Sequence, residues 1–210
     1  MVLSPRINIE TNEELTNVEQ YAKEEFKIKN KNITDIDLSL KYFGDLEFDS
    51  CFFKNIKFNS SNFEKSYFKN CIFDTCDFSS TNLSNSSFKE CELTNCKLLS
   101  TNLYKAYLEN ICIKDCNAKS SLFSSAVINS ADILSSDFKY SEITETELKY
   151  ITLNNVDFSF SNFSSTKLKD IDFTKSTLDT ILLYADDLKG AIMTKEQALS
   201  FVSLLGIKIK

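Results

Sequence analysis

The 210-residue chain contains no histidine and no tryptophan, and only three glycines and one proline. Without histidine there is no Ser-His-Asp or Cys-His catalysis and no histidine-ligated metal site. Glycines at positions 44, 190 and 206 cannot compose a G-x-x-x-x-G-K-[ST] or G-x-G-x-x-G phosphate loop. So little Gly and Pro also suits a helical or sandwich domain poorly, because such domains turn their chains on those residues. No run approaches 18 apolar residues, so no membrane span is expected, and the opening MVLSPRINIE lacks the pattern of a secretory signal. Lys and Arg number 24 against 30 Asp and Glu, net −6, which argues against direct binding of a phosphate backbone. Seven cysteines are an odd number, which fits reduced thiols in a cytoplasmic protein better than a disulfide scaffold. The expectation is a non-enzymatic protein with no cofactor and no metal.

Phenylalanine is abundant, with 18 residues, and it is periodic. Every fifth residue from Ile33 to Leu188 is Phe, Leu or Ile, with Ala118 the single exception, and the phase never slips. From Cys51 to Thr146 a small or compact side chain lies two residues before each, as in Cys51, Ile56, Ser61, Ser66, Cys71, Cys76 and Thr81. Six of the seven cysteines occupy this second column; Cys112 does not. A period of five matches neither the 3.6 of a helix nor the 2.0 of a strand. It fits a chain that turns a corner after each unit and points one large and one small side chain inward. Successive coils then hydrogen-bond along the axis at strand spacing, roughly 4.8 Å. Fourteen of the 18 Phe fall in the inward register and are expected to be core, and Ala118 is expected to leave the core under-filled or to let a neighbour shift inward.

Thr81-Asn82-Leu83-Ser84-Asn85, Thr101-Asn102-Leu103-Tyr104-Lys105 and Ser161-Asn162-Phe163-Ser164-Ser165 are close copies of A(D/N)LXX, so the chain resembles the pentapeptide-repeat proteins over residues 31–190. That resemblance implies an all-β fold, a right-handed quadrilateral parallel β-helix of about eight coils. Residues twenty apart would then stack on one side. Residues 1–30 are left as an N-terminal cap. In it Leu15, Val18, Ala22 and Phe26 have roughly helical spacing between Glu13 and Phe26, and a frayed terminus is the alternative. Residues 191–210 are read as a helix and dimerisation tail. Thr194 is a candidate N-cap and Gln197 its capping-box partner, the helix reads KEQALSFVSLL, and Gly206 is the stop.

A repeat body of this length, closed by that helix and the ending LLGIKI, resembles the Qnr family of quinolone-resistance proteins. The resemblance implies a homodimer joined through the C-terminus, with Leu199, Phe201, Val202, Leu205, Ile207 and Ile209 as candidate contacts. It also implies DNA gyrase and topoisomerase IV as partners, protected from fluoroquinolones by an acidic, DNA-like surface. Typical members carry loops that break the five-residue phase. This chain has none between Ile33 and Leu188, and in that it is similar to a mycobacterial relative. The alternative is a structural or interaction scaffold with another partner, toxin immunity included.

Charge is uneven along such a rod. Residues 31–120 hold 11 Lys against 12 acids, and residues 121–190 hold 6 Lys against 11. In the column Asp37, Lys57, Asp77, Lys97 the sign alternates; it then reads Asn117, Asp137, Asp157, leaving two carboxylates without a basic partner in the column. Glu142, Glu145 and Glu147 crowd the next corner, and Asp132 and Asp172 lie two coils apart on another side. These seven acids are the candidate partner-binding residues. Cys71, Cys76, Cys91 and Cys96 have a looser spacing than a zinc knuckle. Stacked pairs such as 71 and 91 would come within disulfide reach, but small thiols filling the inward slot is the simpler reading.

Overall fold

The structure is a computed structural model and describes residues 2, 4–205, 207 and 208, without the side chains of Ser203 and Leu205. The body is a parallel β-solenoid in which each residue pairs with the one twenty places on. Four ladders at that offset define four sides: Phe48 pairs with Phe68, Phe53 with Phe73, Asp37 with Lys57, and Asn62 with Asn82. On the first two sides the pairing is continuous enough to make strands. They begin as short pieces, β1 (Glu13–Glu14), β2 (Lys27–Lys29), β3 (Lys31–Thr34), β4 (Glu47–Asp49), β5 (Phe52–Lys54), β6 (Tyr67–Lys69) and β7 (Ile72–Asp74). From the middle of the rod the two sides fuse into eight-residue strands, β8 (Ser87–Thr94), β9 (Tyr107–Lys114), β10 (Val127–Leu134) and β11 (Glu147–Asn154). The other two sides are held mainly by single bridges.

The chain turns almost without glycine, Gly190 being the one glycine corner among the described residues. Every fifth residue from Asn30 to Asp170, and Thr180 after them, has a positive φ between 48° and 64°. This left-handed conformation is unfavourable for a side chain with a Cβ, so each corner stores strain of the order of 1 kcal/mol. The next coil offsets that strain by accepting the corner's N–H: Ser60 N donates to Ser79 O at 2.9 Å and Ser80 N to Leu99 O at 2.8 Å.

Where Asp or Asn precedes a large inward residue it has a local job. Its side-chain oxygen accepts the backbone N–H two residues on, closing an Asx-turn over the side. Asn62 does this for Glu64 (2.8 Å), Asp77 for Ser79 (2.9 Å), Asn82 for Ser84 (3.1 Å) and Asn102 for Tyr104 (3.0 Å). The small inward slot is equally local. Thr81 and Thr101 hydroxyls donate to the carbonyls of Phe58 and Phe78, both at 2.8 Å, and the Cys96 thiol reaches Phe73 O at 3.5 Å. Ser, Thr and Cys in this slot satisfy their own donors on a backbone carbonyl, and where the slot holds Ile56, Ala106 or Ala126 there is no donor to satisfy.

The core is a column of rings that gives way to aliphatic side chains. Phe53 stacks on Phe73 at 4.6 Å and Phe58 on Phe78 at 4.6 Å, and rings on adjoining sides meet edge to face, as Phe73 and Phe78 do at 5.4 Å. The inward register extends one rung earlier than Ile33, because Ile28 is fully buried and pairs with Phe48. Ala118 is fully buried. Two small apolar voids, about 30 and 10 Å³, are both lined by Ile113 and Phe123, the inward residues on either side of it in sequence. Phe138, in the coil after Ala118, tilts against Phe123 at 5.8 Å.

Both ends differ from expectation in detail. The N-terminal helix α1 covers only Val18–Glu24, with Asn17 as N-cap accepting from Gln20 N at 3.0 Å. Val18 is buried against the core, but Phe26 is 84% exposed, because the chain has left the helix at Glu25 and turned into β2. At the other end Thr194 and Gln197 form the expected capping box, yet α2 stops at Ser200 and a 3-10 turn, Val202–Leu205, follows. The Gln197 amide also donates to Phe173 O and Ser176 O, at 2.9 and 2.8 Å, closing carbonyls of the last coil. Gly206, the expected stop, lies outside the described residues.

Truncating Phe73 to Ala should lower the free energy of urea unfolding by about 3–5 kcal/mol. Asn82→Ala, which removes one Asx-turn, should cost about 1 kcal/mol in the same measurement.

Candidate partner-binding surface

Asp or Asn before a large inward residue closes an Asx-turn, and Asn62, Asn82, Asn102, Asn117 and Asn162 show that the neutral amide suffices, while Lys57, Lys97 and Leu122 in the same ladders show that the fold also does without it. A carboxylate in that place adds a charge the turn does not need. Asp137 and Asp157 are the case in point. They are bridged directly, one above the other, and accept Lys139 N at 3.1 Å and Ser159 N at 2.9 Å. Both line a shallow groove of about 500 Å³, together with Asp115 and Lys97.

The two carboxylates are not without basic partners, contrary to expectation from the column alone. Lys119 Nζ lies 3.1 Å from Asp137 and Lys139 Nζ 2.8 Å from Asp157. Each lysine sits two places further along the same side, one coil earlier, so its long stem reaches diagonally to the next coil. A column read in steps of twenty misses such diagonals. Burial pushes the Asp157 carboxyl up, but hydrogen bonds from Lys139 and from the Ser159 hydroxyl and N–H outweigh it and hold the group below its ordinary value. Hydrogen bonds from the hydroxyl and N–H of Ser39 lower Asp37 in the same way, and those of Thr174 lower Asp172.

The other candidate acids are distributed around the rod. Asp132 is in β10, between Cys112 and Thr152 on the side that also carries Asp172, and it accepts Val2 N at 3.3 Å. Glu142 lies on the side of Leu122 and Asn162 and accepts Asn162 Nδ2 at 2.9 Å. Glu145 is a left-handed corner that accepts the Ser125 hydroxyl at 3.2 Å, and Glu147 begins β11 in contact with Lys149. The seven acids therefore occupy all four sides, and only Asp137 and Asp157 form a contiguous ladder.

The C-terminal candidates divide. Phe201 is 8% exposed and belongs to the core cluster, so it is not a surplus ring available to a second copy. It packs inward because the helix ends at Ser200 and the chain bends at Phe201. Leu199 is 47% exposed, and Ile207 is 55% exposed. Val202 is half-buried. The side chain of Leu205 and all of Ile209 lie outside the described residues.

Three exposed aromatics had no part in the sequence reading. Tyr140, Tyr150 and Phe160 are corner residues with φ of 60°, 54° and 63°, and Tyr140 and Phe160 stack at 5.1 Å. The sequence carried the signal: both belong to a column, twenty residues apart, that is otherwise mostly serine.

All seven cysteines are free, and six are buried in the small slot. Burial, reinforced by the stacked Cys51 and Cys91, drives the Cys71 thiol well above its ordinary range. Half-buried Cys112 is pushed up to about 11, first by burial and then by Glu92 and Asp132. Among the described residues no group of three or more His, Cys, Asp or Glu could hold a metal ion, and no helix is long and apolar enough to cross a membrane.

Residues 86–163 match the family model described as "Pentapeptide repeat region". The ladders of twenty continue the same parallel β-solenoid, the pentapeptide-repeat fold, on both sides of that segment. The chain is similar to a trypsin-treated variant of QnrB1, a plasmid-mediated fluoroquinolone resistance protein, at 19% identity over 94% of this chain and 95% of that one, with a TM-score of 0.42. HetL, from the cyanobacterium Nostoc sp. strain PCC 7120 and involved in heterocyst differentiation regulation, is 18% identical over 85% and 95%, with a TM-score of 0.44. Rfr23 from the cyanobacterium Cyanothece 51142 is 16% identical over 69% and 97%, with a TM-score of 0.18. No curated protein matches the chain.

Asp37, Asp157 and Asp172 are depressed in the folded state, so their contribution to stability is present above the ordinary carboxylate range and is lost as pH falls through their folded values, below about 4. Urea midpoints should hold between pH 7 and 5 and drop by pH 3, and Asp157→Asn should flatten that drop. Ellman's reagent should find seven thiols on denatured protein, with the six slot thiols silent in the native state.

Proposed function

We propose that this protein is an acidic rod that docks on the basic, DNA-holding surface of a type II topoisomerase, DNA gyrase or topoisomerase IV, and protects it from fluoroquinolones by mimicking DNA. The observation that carries this reading is the Asp137–Asp157 ladder on an open groove, in places where asparagine would serve the fold, within the half of the rod that carries net −5. A negatively charged rod is steered toward a cationic saddle, and occupying that saddle reduces formation of the drug-trapped, cleaved-DNA complex. Asp132, Glu142, Glu145, Glu147 and Asp172 extend the field around the rod. The lysine pairs on Asp137 and Asp157 favour a second reading, a scaffold for another protein partner, because they shorten the reach of the charge.

Gyrase supercoiling with ciprofloxacin, run with and without the protein, tests the first reading; protection supports it and unchanged inhibition favours the second. Asp137→Asn, Asp157→Asn and Glu142→Gln together keep the turns and remove three charges, so they should weaken gyrase binding and its salt dependence while the melting temperature moves little. Self-association through the C-terminal tail is part of the proposal and rests on the exposed Leu199 and Ile207. Leu199→Asp should then yield monomers in sedimentation at a concentration where the parent is dimeric.

A further inference from the structure

The corner column opens with Leu40 at a φ of 59°, is serine at 60, 80, 100 and 120, with φ of 57°, 57°, 52° and 57°, and ends with Thr180 at 53°. The same corner holds Tyr140 and Phe160 at 60° and 63°. A bulky ring in the left-handed region is a backbone outlier, whereas serine is tolerated there. The rings gain little burial in return, since Tyr140 is 54% and Phe160 49% exposed. They lie face to face, 5.1 Å apart with planes 9° off parallel, at the edge of the side that carries Asp137 and Asp157. Inside the rod the fold's own solution at this corner is serine, with Leu40 only in the first coil, and the stacked aromatic pair serves something outside the chain.

The surroundings indicate the chemistry of that partner. In the four coils that meet at this corner, residues 117–125, 137–145, 157–165 and 177–185 hold two lysines, Lys119 and Lys139, against Asp137, Glu142, Glu145, Asp157 and Asp179, net −3. Both lysines are already engaged by Asp137 and Asp157, and the described neighbour of Glu142 is the Asn162 amide. Exposed aromatic faces flanked by carboxylates suit a guanidinium, which stacks flat on a ring while its N–H fork reaches an oxygen. Nucleic acid, which also stacks on rings, is repelled by the same carboxylates.

We propose that Tyr140 and Phe160 form an anchor for an arginine-bearing segment of a protein partner. This deepens the topoisomerase reading by assigning the docking corner, and it names a site that also stands on its own. Tyr150, at the opposite corner with a φ of 54° and 82% exposure, serves as the internal control.

The test uses the full chain and its Tyr140→Ser/Phe160→Ser variant, which restores the residue the column already carries, beside Tyr150→Ser. Fluorescently labelled octa-arginine and octa-lysine are titrated by anisotropy at two salt concentrations. Octa-arginine should bind the parent and Tyr150→Ser roughly tenfold more tightly than the double variant. Octa-lysine, which reads charge alone, should bind all three alike. The double variant should melt no lower than the parent, so weaker binding does not reflect unfolding. Equal octa-arginine affinity for parent and double variant would overturn the anchor. So would sedimentation showing that the pair's loss abolishes a self-association of the rod, since a second copy would then be the occupant. Gyrase binding is measured in parallel: failure of the parent to bind gyrase removes the topoisomerase reading and leaves the peptide result to judge the anchor.

Discussion

Everything in this molecule depends on one constraint: a backbone corner in the left-handed region every five residues, locked by a hydrogen bond to the coil one turn on. The corner is unfavourable in isolation, so a single unit has no reason to fold. Stacked, each coil satisfies its neighbour's amides, buries one large side chain per side, and gives each Asx-turn a flat bed. Stability is therefore a property of the array, and the corner, slot and turn residues are chosen by local hydrogen bonding. That is why Asn, Ser, Asp and Thr dominate outside while Phe, Leu and Ile fill the inside.

The same constraint divides the surface into places the fold cares about and places it does not. The position before each large inward residue can accept a backbone N–H through Asp or Asn, but its charge is free. The corner must tolerate a positive φ, but its side chain points outward and is otherwise unconstrained. Function can be written in those two freedoms without disturbing the interior. Asp137 and Asp157 use the first freedom, and Tyr140 and Phe160 the second.

Much of this was legible from sequence. A strict spacing of Phe, Leu and Ile placed the core, and the twenty-residue column that puts Asp137 on Asp157 is present as a bridge. The small slot was legible as well, although only the structure shows that Ser, Thr and Cys there donate to the carbonyl of a large inward residue one coil earlier. The charge map was less legible. Lys119 and Lys139 reach their carboxylates diagonally, and no one-dimensional column contains that contact. The scarcity of glycine was informative for the wrong reason: it excluded ordinary turns, and the chain makes its turns with non-glycine residues instead. Phe201 was misplaced because helical spacing was extended past Ser200, where the chain switches to a tighter turn and swings the ring inward.

The two ends of the rod are chemically unlike. At the start, β1 pairs with β3 at an offset of eighteen rather than twenty, and α1 lies over the first coil. At the finish, the Gln197 carboxamide occupies carbonyls that a further turn of chain would otherwise claim. Stacked parallel backbone is the geometry of fibrils, in which any free edge recruits the next molecule. With one edge out of step and carbonyls of the other occupied by a side chain, neither end offers a clean row of backbone groups for strand-on-strand templating, and association there falls to side chains.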